Sequence, residues 1–379
     1  MAPLLQALLV VLCFITGFVL AGIIRSLPRF LPDVPNSRSL HSRIVPRGGG
    51  ISFIIPFLFI MALNLLLSGR LEENSLLALL IGSALFSLLG LLDDSLHLSA
   101  SSRLLLQFLL LIPLCIYGTP DRINILNLVE IEGWPTLILQ VAWLLICINF
   151  YNFMDGLDGL AAGQAIFVSI AFGTLLYLDS RSAFNNSLYQ EAGVYRIISH
   201  GFFCLAAAAL GFLIWNLHPA ALFMGDTGSY FLGFTFGFTG LIFPYSHDAS
   251  FTKAAVYLPE LKAPLPWADM TAMMLLLFPF LLDAGATVSR RLFEGTNILQ
   301  AHSVHLYQKL YKRGFSPGKI NRLFLGSNLL LLIPVALKTN AREISWFFIA
   351  LAIICLTAGY YYFRESAITD RKLKENPRS

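Results

Sequence analysis

Charge is what this chain lacks most. Only 13% of its 379 residues are Asp, Glu, Lys or Arg, against 56% hydrophobic ones, and mean hydropathy is +0.71. A soluble domain of this length carries roughly twice that charge, so a soluble fold is excluded and no nucleic-acid partner is expected. Cysteine is scarce as well. Cys13, Cys115, Cys147, Cys204 and Cys355 each sit in an apolar run without short metal-binding spacing. That removes a disulfide framework and a zinc site, and leaves small hydrophobes. Internal repeats, low-complexity tracts and a second domain are missing too. No basic region precedes the first apolar run, Leu4 to Ile24, which extends too far for a signal peptide and reads as a retained span.

Long apolar runs are abundant instead. They predict spans near 4–25, 50–69, 76–92, 103–118, 136–152, 159–178, 199–216, 228–245, 270–291, 322–338 and 345–363. Each covers about 17–25 residues, enough to cross a bilayer core of about 30 Å as a helix. The expected fold is an all-α polytopic membrane protein, one domain over 1–363 with a polar tail at 364–379. Eleven spans put the termini on opposite sides. Of the 26 Lys and Arg residues, 18 fall on the side of the 26–49 connection and 8 on the other. Positive charge marks the cytoplasmic side, so the N-terminus is expected to be periplasmic and the C-terminus cytoplasmic.

Polar groups at membrane depth are costly, charged ones by about 2.5–3.5 kcal/mol each on insertion scales, so those that occur are informative. The run Asn149-Phe-Tyr-Asn-Phe-Met-Asp-Gly-Leu-Asp-Gly-Leu160 places Asn149, Asn152, Asp155 and Asp158 at the mouth of a hydrophobic helix. Four more clusters join it: Asp33 to His41 with Pro46-Arg-Gly-Gly-Gly50; Asp93-Asp94 with Arg103; Met224-Gly-Asp-Thr-Gly-Ser229; and His302-Ser-Val-His305. All five fall on the side that Lys and Arg alone assign to the cytoplasm. That agreement argues for one site.

Each cluster also has an ordinary reading. Asp33 and Asn36 could cap turns, Gly48 to Gly50 could lead into a helix, and Asp226 or Thr227 could be an N-cap. Asp93-Asp94 could be a solvated helix end, although acids there oppose the helix dipole and need other stabilisation. His302 and His305 could share one helical face. Together the clusters describe a basin with Asp93, Asp94, Asp155, Asp158 and Asp226 at its centre. Arg38, His41, Arg47, Arg103, Arg290, His302 and His305 stand around its edge. Crowded carboxylates call for a divalent cation, and carboxylate and amide oxygens suit magnesium or manganese rather than zinc. An oxygen-ligated ion ringed by cations is equipment for phosphoryl chemistry.

At these motifs, from about Asp33 to Ser316, the chain resembles the polyprenyl-phosphate N-acetylhexosamine-1-phosphate transferases, glycosyltransferase family 4. Eleven spans with an outside N-terminus resemble the O-antigen and enterobacterial-antigen branch. The resemblance implies transfer of a sugar-1-phosphate from a UDP-N-acetyl sugar to undecaprenyl phosphate, with release of UMP. It implies that Asp226 and Asn152 ligate magnesium, that Asp158 meets the uracil, and that Asp93 and Asp94 lie near the metal and the lipid phosphate. Arg103 stands where many relatives have Lys. Only His305 matches the family's last histidine motif; Tyr307 and Gln308 replace the next pair, a variant associated with N-acetylated 6-deoxyhexoses. A homodimer is compatible with this reading. A cation-coupled transporter is the rival, but it would place its acids near mid-membrane in broken helices, often with repeat symmetry.

Overall fold

The computed structural model describes residues 3–27, 31–33, 43–125, 129–185, 189–243, 268–297 and 304–336. In a bilayer each backbone polar group must find its partner within the segment, and these apolar runs satisfy that demand as helices. In chain order they are α1 (Pro3–Arg25), α2 (Ile51–Ser68), α3 (Asn74–Leu96), α4 (Ala100–Gly118), α5 (Trp134–Met154), α6 (Leu160–Asn185), α7 (Tyr189–Asn216), α8 (Gly225–Ile242), α9 (Met270–Phe293), α10 (Leu306–Lys312) and α11 (Pro317–Ala336). Eight of these, α1 to α7 and α9, are long and apolar enough to cross a membrane. The chain is an all-α polytopic membrane protein.

Ends of the helices follow ordinary capping chemistry in places. Ser99 Oγ accepts the Ser102 N–H at 3.1 Å before α4, and Asp269 Oδ1 accepts the Ala272 N–H at 2.8 Å before α9. Two small antiparallel ribbons interrupt the helical pattern. β1 (Pro32–Asp33) pairs with β2 (Val45–Pro46), and β3 (Arg122–Ile125) pairs with β4 (Val129–Glu132) between α4 and α5.

α8 is the hub. It packs mainly between α3 and α5, and every residue from Thr227 to Leu241 is buried. Its glycines, threonines and aromatic residues therefore face protein rather than lipid, which explains why it is less apolar than the outer helices. Ser83 and Thr235 hydroxyls meet at 2.9 Å, and the Trp143 indole donates to the Gly237 carbonyl at 3.0 Å. By contrast α1 and α4 leave Leu4, Leu8, Ile15, Leu105, Leu109 and Ile116 exposed, as lipid-facing helices do.

The first ten expected spans each coincide with a helix. The eleventh, 345–363, and the tail at 364–379 lie outside the described residues. Several boundaries move. α8 begins at Gly225 rather than 228, α11 at Pro317 rather than 322, and α7 at Tyr189 rather than 199. Helices run on past the apolar stretch that a hydropathy reading detects, because the polar turns still close their own backbone bonds. α3 likewise continues to Leu96, so Asp93 and Asp94 belong to its last turns.

A candidate active site at one end of the helix bundle

Asp93 and Asp94 are 3% and 4% exposed, so the solvated-end reading fails. Their stabilisation comes from α8. Asp94 accepts the Asp226 N–H on Oδ1 at 3.1 Å, and on Oδ2 the Thr227 N–H at 3.0 Å and the Thr227 hydroxyl at 2.8 Å. Residue Met224, at the cap position of α8, offers no side-chain bond. A carboxylate from α3 thus does the capping, and it sits at the positive end of the α8 dipole. That corrects both ordinary readings of the Gly225–Ser229 segment: neither Asp226 nor Thr227 caps its own helix, and the anion at this helix start is Asp94.

Close approach makes this possible. Gly225 has φ +78° and a Cβ there would lie 2.7 Å from Asp94 Oδ2. A Cβ on Gly90 would lie 2.2 Å from the Asp226 carbonyl oxygen. Asp93 is equally engaged. Its Oδ1 accepts the Leu98 N–H at 3.1 Å, while Oδ2 accepts the Tyr230 hydroxyl at 2.6 Å and Arg103 Nη1 at 3.3 Å.

Asp226 then faces the end of α5. The Asn152 amide donates to Asp226 Oδ1 at 2.6 Å and to Ser229 Oγ at 3.0 Å. Asn149, one turn earlier, donates to Gln107 Oε1 of α4 at 2.7 Å. Asp155 follows directly after α5. Burial first, then the charges of Asp226 and Asp94, hold its carboxyl well above the usual carboxylate range. Asp158 Oδ2 accepts the Ala220 N–H at 3.1 Å and lies 2.7 Å from His218 Nδ1, which ties the start of α6 to the connection between α7 and α8.

Pro46-Arg-Gly-Gly-Gly50 packs beside the same spot. The Gly49 N–H donates to the Phe223 carbonyl at 2.9 Å and the Gly50 N–H to the Met224 carbonyl at 3.0 Å. Arg47 Nη2 meets Asp33 Oδ1 at 2.7 Å, a pair set up by the β1–β2 ribbon. The turn-former reading of the glycines and their place at the site are therefore both true.

His305 stands at the cap position of α10 rather than on a helical face, and its ring lies 5.8 Å from that of Phe153. Tyr307 donates its hydroxyl to the Phe153 carbonyl at 3.1 Å. Arg290, in the last turn of α9, is engaged by Glu294 of its own helix end at 2.7 Å. Arg38, His41 and His302 lie outside the described residues.

The structure thus brings Asp33, Arg47, Asp93, Asp94, Arg103, Asn149, Asn152, Asp155, Asp158, Asp226 and His305 to one end of the bundle. It also adds side chains the sequence reading passed over. Tyr230, Gln107, His218 and Asp283 all contact motif residues. Asp283 and Gln107 carried the same signal as the others, a polar group inside an apolar run. His218 and Tyr230 carried none beyond proximity to a motif.

A hard cation is compatible with the donors present. The Asp226 carboxylate and the Asn152 amide are adjacent oxygen-bearing groups of the kind magnesium accepts. Among the described residues, no three His, Cys, Asp or Glu side chains assemble a metal site by themselves.

Residues 76–243, from α3 through α8, match the family model for glycosyl transferase family 4. The match takes in Asp93, Asp94, Arg103, Asn149 to Asp158 and Asp226. A Bacillus subtilis protein named as a probable undecaprenyl-phosphate N-acetylglucosaminyl 1-phosphate transferase is 28% identical over 85% of this chain and 81% of its own length. The decaprenyl-phosphate N-acetylglucosaminephosphotransferase of Mycobacterium tuberculosis is 27% identical over 76% of this chain and 70% of its own. A phospho-N-acetylmuramoyl-pentapeptide-transferase of Listeria monocytogenes is 33% identical over 50% of this chain and 58% of its own. The shared motifs are gathered around one helix start, and over residues 76–243 the chain is similar to glycosyl transferase family 4.

Proposed function

We propose that this protein transfers a sugar-1-phosphate from a UDP-N-acetylhexosamine to undecaprenyl phosphate and releases UMP. The observation that carries the reading is the Asn152–Asp226 contact at 2.6 Å, framed by Asp94 beneath, with the charges of Arg47 and Arg103 acting on Asp226. Relatives named for polyprenyl-phosphate and N-acetylhexosamine chemistry support the reaction class. The branch reading adds an N-acetylated 6-deoxyhexosamine as a donor and initiation of O-antigen or a related surface polysaccharide as the role. We place the site on the cytoplasmic face of a bacterial inner membrane, following the Lys and Arg count.

In this reading a lipid-phosphate oxygen attacks the β-phosphorus of the UDP-sugar. The bond from that phosphorus to the bridging oxygen breaks, and UMP leaves with the electron pair. Asp226 and Asn152 would hold magnesium or manganese, which supplies charge neutralisation on the pyrophosphate when bound. A site with few protein ligands suits magnesium, which keeps waters and shares substrate phosphates. Arg47, Arg103 and His305 fix the phosphates, and Asp158 with its His218 contact lies where the nucleoside is assigned. Catalysis of this kind is mostly positioning and electrostatics.

Purified enzyme, undecaprenyl phosphate and a panel of radiolabelled UDP-N-acetyl sugars test the proposal. Labelled lipid and UMP should form together, and excess chelator should stop both. Asp226→Asn should lower turnover by about two orders of magnitude or more without loss of folded protein. Transfer that survives chelation, or an active Asp226→Asn variant, overturns the metal assignment. Label from UMP should enter UDP-sugar only when lipid phosphate is present; exchange without lipid would establish a covalent intermediate instead.

A further inference from the structure

A second membrane-buried aspartate repeats what Asp94 does. Asp283 lies in α9, ten residues before its end, about 15 Å along the axis at 1.5 Å per residue. It is 5% exposed and stands in the apolar run from Leu275 to Ala286. An acid in such a run is costly unless partnered, and among the described residues its partners are on one short segment. Asp283 Oδ1 accepts the Leu306 N–H at 2.8 Å, and Oδ2 accepts the Tyr307 N–H at 3.2 Å. The same Oδ1 lies 3.6 Å from His305 Nδ1. His305 is itself 2% exposed, and its backbone N–H donates to Gln308 Oε1 at 3.2 Å.

The other side of this segment is clamped to α5. Tyr307 is 1% exposed, and its hydroxyl donates to the Phe153 carbonyl. A Cβ on Gly156 would lie 2.1 Å from that hydroxyl oxygen, so the Asp155-Gly156 step is shaped to receive Tyr307. The His305 ring stacks on Tyr307 at 5.9 Å and lies tilted to Phe153 at 5.8 Å. Phe153 immediately follows Asn152. The segment from His305 to Gln308 is therefore held between an acid of α9 and the peptide that carries Asn152 and Asp155.

We infer that Asp283 is a positioning residue: it fixes His305 against the Asn152–Gly156 peptide, and Tyr307 locks the other face of the same joint. The inference rests on the proposed transferase reading, in which His305 contacts a substrate phosphate. Tyr307 and Gln308 act inside this joint, as packing and capping groups, and do not read the sugar.

A double-mutant cycle separates positioning from bulk stability. In the transfer assay, Asp283→Asn should lower kcat by about 10–100-fold while the chelator requirement stays unchanged. His305→Ala should lower it further, and Asp283→Asn added to His305→Ala should change turnover by less than about twofold, because both act through one group. Asp283→Glu should recover part of the loss. Thermal unfolding of each detergent-purified variant reports folded enzyme, and turnover is expressed per folded molecule; should Asp283→Asn fail to fold, Tyr307→Phe takes its place in the cycle. Fully additive losses with His305→Ala would overturn the inference and leave Asp283 a stability residue. Absence of any transfer by the wild-type enzyme would instead overturn the transferase reading, a distinct outcome. Altered donor preference in Tyr307→Phe would also count against the joint and return sugar choice to this segment.

Discussion

At the scale of single residues, buried carboxylates in this protein do the work that local caps do elsewhere. Asp94 accepts three hydrogen bonds from the first turn of α8, and Asp283 accepts two from the start of α10. A lost N-cap costs about 0.5–2 kcal/mol, and a donor left unsatisfied in a buried site adds to that. Asp94→Ala should therefore lower the thermal unfolding temperature of the detergent-purified enzyme and cut turnover at saturating metal, since the peptide it holds carries Asp226. Tyr230→Phe removes the 2.6 Å hydroxyl contact to Asp93 and the same hydroxyl's contact with Arg103. That change should cost about 1 kcal/mol in stability and affect turnover much less than Asp94→Ala. Equal stability for wild type and Asp94→Ala in a thermal scan would show that α8 does not need this cap. The catalytic candidates were legible because a polar group in an apolar run is expensive wherever it occurs. Their roles were not, because a carboxylate looks alike in sequence whether it meets a metal or a helix start.

At the scale of elements, α8 depends on two neighbours approaching it closely. Gly90 of α3 faces the Asp226 carbonyl with no room for a methyl group. Gly90→Ala should push α3 from α8 and cost about 1–3 kcal/mol, the usual effect of overpacking. Because the displaced peptide bears Asp226, transfer activity should fall more than stability does. Gly163 in α6 is the matched control, since a Cβ there meets nothing within 4 Å. Gly163→Ala should be neutral or stabilising by up to about 1 kcal/mol, reflecting helix propensity alone. Thermal unfolding and turnover of the two variants, measured side by side, decide the matter; similar behaviour would remove the close-packing argument. Helix identity was readable from apolar runs, whereas α8's central place was not. Its glycines and threonines look merely less hydrophobic until they are seen to face α3 and α5.

At the scale of the whole molecule, the motif residues among the described ones lie at the end of the bundle that holds the start of α2, the end of α3 and the end of α5. The proposal that this end is cytoplasmic rests on the Lys and Arg count. In a cysteine-free background, Ser99→Cys and Ser316→Cys should react with a membrane-impermeant maleimide only after the cells are opened. Glu72→Cys, in the exposed connection between α2 and α3, should react in intact cells. Labelling of Ser99→Cys in intact cells would place the acidic pair away from a cytosolic nucleotide and overturn the scheme.

Much of this protein was determined locally. Hydrophobic run length dictates transmembrane helices because lipid leaves the backbone no other way to satisfy its hydrogen bonds. The cost of polar groups in that setting marks Asn152, Asp155 and Asp226 without any fold. What only the tertiary structure decided is which group answers which. Asp94 and Thr227 are separated by 133 positions and Asp283 and Tyr307 by 24, yet the first pair closes two hydrogen bonds and the second closes one. Such pairings depend on how helices pack around α8, and packing is a property of facing surfaces that no single run of residues contains.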